Sequence, residues 1–82
     1  MIYEDVITEL AKSANPSDAQ FLQRFFKTGP GQYGEGDIFI GVRMSPVRQV
    51  AKKYKDLNLS EVQKLLNSKV HEHRMCGLII LT

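Results

Sequence analysis

Ile2, Val6, Ile7 and Leu10 fall near one face of a 3.6-residue repeat, with the acids Glu4 and Asp5 early in it and Lys12 late. That charge order suits a helix dipole, and the spacing predicts a first helix over 2–13. It should stop near Ala14, because Pro16 disfavours the helical conformation at Asn15, while Asn15-Pro16 supplies an N-cap and a first-turn proline for the next helix. Asp18 stands three residues after Asn15 and can complete a capping box. Ala19, Leu22, Phe25 and Phe26 then make an apolar stripe that runs out near Lys27. So short a joint between two helices predicts a hairpin.

The pattern breaks over 28–41, TGPGQYGEGDIFIG, with five glycines and a proline. Alternation across Asp37, Ile38, Phe39 and Ile40 would suit a short strand, but no second strand candidate is at hand to pair with it, so an extended loop is expected. Helical signals return at Ser45-Pro46, read as an N-cap with proline at the first helical position. Val47, Val50, Ala51 and Tyr54 follow as one buried stripe, while Arg48, Lys52 and Lys55 share another face. Ser60 to Gln63 reads as a capping box, with Val62, Leu65 and Leu66 inward and Asn67 as the stop. Ser68 can cap a last helix from about Lys69, with Val70, Gly77, Leu78 and Leu81 inward. The expectation is an all-α fold of about five helices in antiparallel hairpins, interrupted by one glycine-rich loop.

CGLIILT, at the end, is apolar almost all round, so this helix should be covered on both sides. Stacked helix pairs bury each pair against the next and need a polar outer face at the end of the stack, so the chain reads as cut off. Its 82 residues make one small domain at most, and its single Cys forms no internal disulfide. No apolar run approaches the roughly 18 residues of a membrane span. The acidic, amphipathic start lacks the form of a signal peptide, which places the chain in the cytoplasm.

Net charge is only +2, but it is unevenly placed. Residues 1–41 carry three basic and six acidic side chains, whereas residues 42–82 carry eight basic and three acidic ones. The second half is therefore the one able to attract a polyanion. Arg48, Lys52 and Lys55, with Arg43 just before their helix, read equally as a solvated helix face or as a phosphate-binding surface.

Other motifs read as structure. Gly29 to Gly34 fits G-x-G-x-x-G, but dinucleotide binding needs a strand before it and a helix starting within it, and here the order is reversed. Gly31 to Gly34 fits the GXXG of KH domains, although Glu35 and Asp37 beside it would repel phosphate. His71 and His73 stand about 200° apart on a helix and cannot share a metal, and His73 with Cys76 supplies only two ligands. A partly buried His73 and a core-facing Cys76 are the plain reading. Glu72 is expected to be an exposed helix acid paired with Lys69 or Arg74.

The run FFKTGPGQYGEGDIFIGVRMSPVRQVAKKY, followed by HEHRMCGLIIL, resembles the N-terminal region of bacterial DNA alkylation repair enzymes of the AlkD-like, HEAT-like-repeat type. The resemblance covers essentially the whole chain. It implies an α-solenoid whose concave basic face holds double-stranded, alkylated DNA, and an enzyme that removes N3- or N7-alkylated purines without metal or cofactor. Its catalytic carboxylate and tryptophans would lie downstream. This chain has no Trp, so no catalytic residue is placed on it, and 1–82 is expected to be the N-terminal portion of a longer domain. Gly41-Val42-Arg43 and Arg48 match the family's G-[VI]-R-x-P-x-x-R-like pattern, with the proline one place late at Pro46. The resemblance thus implies backbone contacts from Arg43 and Arg48. The competing expectation is a small helical module that forms a homodimer through its apolar last helix.

Overall fold

A computed structural model describes residues 1–25 and 36–82. Five helices follow in order, α1 (Tyr3–Lys12), α2 (Pro16–Phe25), α3 (Met44–Lys53), α4 (Leu59–Leu66) and α5 (His71–Leu81), so the fold is all-α. The glycine motifs at 29–34 and the predicted end of the second helix at Phe26 and Lys27 lie outside the described residues.

The core is built from the stripes that the periodicity picks out. Val6 and Leu10 of α1, Val47, Val50 and Ala51 of α3, Val62 and Leu65 of α4 and Cys76 of α5 form one buried cluster, closed by Tyr54 and Leu57. Each fully buried Val or Leu contributes roughly 1.5–3 kcal/mol relative to an exposed one. The last helix is the hub, packing on α3, α4 and α1. Gly77 lets it lie close to α4, since a Cβ there would stand 3.2 Å from Leu65 and Leu66 atoms. The Cys76 thiol is buried, which pushes its pKa up to about 11 and leaves it protonated at neutral pH.

The expected hairpin of α1 with α2 does not form. Among the described residues α2 packs along no other helix and contains no buried residue. It is held by the segment 37–43, a strap that crosses the molecule from α2 to α5. Gln23 ties α2 to the strap at two points, donating to the Asp37 carbonyl (3.2 Å) and accepting from the Phe39 N–H (2.7 Å). Asn15 caps α2 as expected, its Oδ1 accepting from Ser17 and Asp18 N–H, but Asp18 closes no capping box. Its carboxylate faces Arg43 instead.

Three helix starts differ from the sequence expectation, each because of packing. Helix α3 begins at Met44 with Arg43 as N-cap, so Pro46 sits third in the helix, where its missing N–H is still one that a helix leaves unpaired. Leu57 is buried after a turn on Tyr54, which leaves Asn58 extended and starts α4 at Leu59 rather than after Ser60. Helix α5 begins at His71 because the strap pairs with the chain just before it: Ile38 donates to the Lys69 carbonyl (3.3 Å) and accepts from the His71 N–H (2.7 Å). The strand partner missing from the sequence reading is thus this linker, and an isolated parallel bridge results.

Helix α5 keeps Gly77 and Cys76 inward as expected but buries Glu72 in place of Leu78 and Leu81. Glu72, Cys76 and Gly77 are buried, whereas Leu78 and Leu81 are about half exposed. No helix among the described residues is long and apolar enough to cross a membrane.

Candidate nucleic-acid interface

The strap, α3 and the start of α5 meet in the part of the molecule that carries the candidate cations. Glu72, expected on the surface, is the one buried charged residue among those described, at 2% exposure. Its carboxylate accepts from three consecutive backbone N–H groups of the strap: Ile40 at 3.1 Å, Gly41 at 2.9 Å and Val42 at 3.2 Å. A buried carboxylate is costly unless its oxygens are hydrogen-bonded, and here the strap supplies the donors.

Asp37, at the head of the strap, accepts from Arg74 at 2.5 Å and meets Nδ1 of His71 at 3.2 Å. Burial pushes the Asp37 pKa up, but the Arg74 guanidinium and His71 outweigh it and hold the carboxyl below its ordinary value. Phe39 stacks on the His71 ring, with centroids 4.5 Å apart. Deeper along α5, His73 Nδ1 lies 2.8 Å from the Ser68 hydroxyl. Among the described residues no three His, Cys, Asp or Glu side chains come together to hold a metal ion.

Burial lowers the His73 pKa below its ordinary 6.5, against the pull of Glu72 and with the help of Arg74. From pH 6.5 down to the folded value the unfolded chain therefore binds more protons than the native one. Stability is expected to be full above that window and to fall as pH drops through it. His73→Gln cannot protonate, so the difference between its urea midpoints at pH 7.5 and 5.5 should be smaller than that of the wild type. Equal differences would remove His73 as the cause.

The four candidate DNA-binding residues are all exposed but not all together. Arg43 is the N-cap of α3, and its guanidinium pairs with Asp18 of α2 through Nε (3.1 Å) and Nη2 (3.3 Å), which raises the Arg43 pKa. Arg48 and Lys52 stand one turn apart on the exposed side of α3. Lys55 does not continue that stripe, because α3 ends at Lys53 with Tyr54 as its C-cap and Lys55 lies in the following turn. Among the described residues Arg48, Lys52 and Lys55 have no ion-pair partner. Lys53, on another face, pairs with Glu9 at 3.1 Å.

Between α2 and α3 runs an apolar groove of about 470 Å³, lined by Phe21, Leu22, Phe39, Val47 and Met75, with Asp18 and Arg43 also on its wall. Phe21 and Phe25 stack on the exposed side of α2 at 5.9 Å.

Arg43 and Arg48 are visible in the sequence as a motif, but Glu72 is not recognisable there. The available hint is a lone acid within the polar first turn, HEHR, ahead of an apolar second half, and it becomes meaningful only beside the strap.

A helix that presents Arg48 and Lys52 to solvent one turn apart, without ion-pair partners among the described residues, is suited to meet a polyanion. Residues 6–82 match the family described as DNA alkylation repair enzyme, and the chain belongs to that family. Its role is accordingly in DNA repair, with DNA as its partner. No curated protein and no solved structure matches the chain.

Proposed function

We propose that the chain is the N-terminal, DNA-gripping part of an AlkD-like glycosylase that excises N3- or N7-alkylated purines from double-stranded DNA in the cytoplasm. Its helices would begin a HEAT-like solenoid, and the catalytic groups would belong to later repeats. The observation that carries this reading is the state of the charges on α3. Arg48 and Lys52 stand exposed one turn apart, while Asp18, Asp37 and Glu72 are engaged elsewhere, with Arg43, with Arg74 and with the strap. Cations held this way serve phosphate rather than base edges, so they fix the position of the duplex without reading its sequence.

Duplex binding by the 82-residue chain tests the reading. The triple variant Arg48→Ala, Lys52→Ala, Lys55→Ala should flatten the dependence of log affinity on log salt by roughly 0.9 for each phosphate it no longer neutralises. An unchanged slope would take these residues off the DNA. On alkylated duplex the same chain should release no purine, and release above a no-protein control would place chemistry within it.

A second reading rests on Leu78 and Leu81, which leave an apolar face on α5. In a solenoid a further helix pair covers such a face, and in a self-associating module a second copy does. A tight, salt-independent dimer in sedimentation would favour the module.

A further inference from the structure

Three consecutive amides turned toward one point make a concave site for an anion, and here the protein fills it with its own Glu72 carboxylate. The amides belong to Ile40, Gly41 and Val42, and the next residue is Arg43. Arg43 is the N-cap of α3, and its carbonyl accepts the Val47 N–H at 3.2 Å, so the strap joins the helix with no intervening slack. On the other side of the strap the Gly41 carbonyl accepts the Asn15 N–H at 3.1 Å. Asp18, on the helix that Asn15 caps, holds the Arg43 guanidinium. The strap is therefore clamped by α5 on one side and by the α1–α2 corner on the other. Arg43 issues from the clamped point with its side chain largely in solvent, at 78% exposure.

We propose that Glu72 is a positioning residue for DNA: by gathering the amides of residues 40–42 it fixes Arg43 at the head of α3 in the place where a backbone phosphate is met. This rests on the reading that Arg43 contacts the DNA backbone. A carboxylate suits the task because its two oxygens accept several charge-assisted hydrogen bonds, which set the strap by distance and direction, whereas apolar contact alone would let it slide. The exposed Asp18 pair orients the guanidinium and is readily exchanged for phosphate, since surface ion pairs hold weakly.

The test is a set of duplex-DNA titrations between about 50 and 200 mM salt, the range over which phosphate contacts show most clearly. It uses the full chain as wild type, Arg43→Ala, Glu72→Gln and the double variant. Arg43→Ala should weaken binding about tenfold and lower the salt slope by about one unit. Glu72→Gln keeps one acceptor oxygen and the side-chain volume. It should melt cooperatively yet show the same two changes, and the double variant should bind within about twofold of Arg43→Ala alone, as residues acting through one contact do. Glu72→Asp keeps the charge and should recover part of the slope; it carries the same comparison if Glu72→Gln does not fold. Wild-type affinity and slope in a folded Glu72 variant, or losses that multiply in the double variant, would overturn the positioning role and leave the Arg43 contact standing. No effect of Arg43→Ala would overturn the contact itself and the positioning role with it.

Discussion

Glu72→Ala is expected to lose about 3–5 kcal/mol of stability, read as a fall in the urea midpoint followed by far-UV circular dichroism. Alanine removes both acceptor oxygens at once. The N–H groups of Gly41 and Val42, whose bonds to Glu72 are buried, and that of Ile40, partly buried, would be left without this acceptor in a place water reaches poorly. Each unsatisfied buried donor costs roughly 1–3 kcal/mol, offset only as far as water follows the missing side chain inward. A native chain of this length holds about 4–12 kcal/mol in total, so the loss is a large share of it. Glu72→Gln, with one oxygen left, should fall between wild type and Glu72→Ala. A Glu72→Ala midpoint within about 1 kcal/mol of wild type would show that the strap does not depend on the carboxylate.

Gly41→Ala is expected to be about as damaging, for a different reason. Gly41 has φ +84°, and a Cβ built there would stand 2.0 Å from the Asn15 carbonyl oxygen and 2.8 Å from the Ala19 nitrogen. Both are backbone atoms, so no side-chain rotation relieves the contact. Either the strap or the α1–α2 corner must move, and with it the bond from the Asn15 N–H to the Gly41 carbonyl. Gly36 provides the control, since it shares the left-handed conformation at φ +83° but has nothing within 4 Å of a built Cβ. Gly36→Ala should cost only the conformational penalty of about 1–2 kcal/mol. Gly41→Ala should lose at least twice that, or fail to show a cooperative melt. Equal losses in the two variants would show that the contact with Asn15 is not the constraint.

The helix interiors are legible in the sequence because they are periodic. Val47, Val50, Ala51 and Tyr54 follow helical spacing and all four are buried, as are Val62 and Leu65. Helix α5 buries Cys76 and Gly77 as expected but leaves Leu78 and Leu81 about half exposed, because its second half, CGLIIL, is apolar on nearly every side and its spacing does not indicate which side is the inner one. Glu72 settles that, by bonding to amides 30 to 32 residues upstream. No local pattern contains that information, and an acid at the first turn of a helix is ordinarily read as dipole chemistry. The helix starts escape the sequence for a related reason. Ser45, Ser60 and Ser68 are sound local caps, but the starts follow Arg43, Asn58 and Val70, which tertiary contacts hold extended. Within the candidate interface, Arg43 is legible as part of a motif, whereas its partner Asp18, 25 residues earlier, is not. Lys55 has the spacing of the basic stripe but not its place on the helix, which stops at Lys53 because Leu57 must turn inward to reach the core.

The absence of any buried residue on α2 bears on how this family can diverge. Most of the helix is free to drift, since substitutions on an exposed surface seldom shift stability by more than about 0.5 kcal/mol. The exception is the side toward the strap and groove, where Asp18 meets Arg43, Ala19 lies against Gly41, Leu22 lines the groove and Gln23 grips residues 37 and 39. These four positions fall at i, i+1, i+4 and i+5 along one side of the helix. Variation among relatives should therefore be sparse along that ridge and at Phe21, which also lines the groove, and more abundant on the rest of α2, a pattern that helix propensity would not produce.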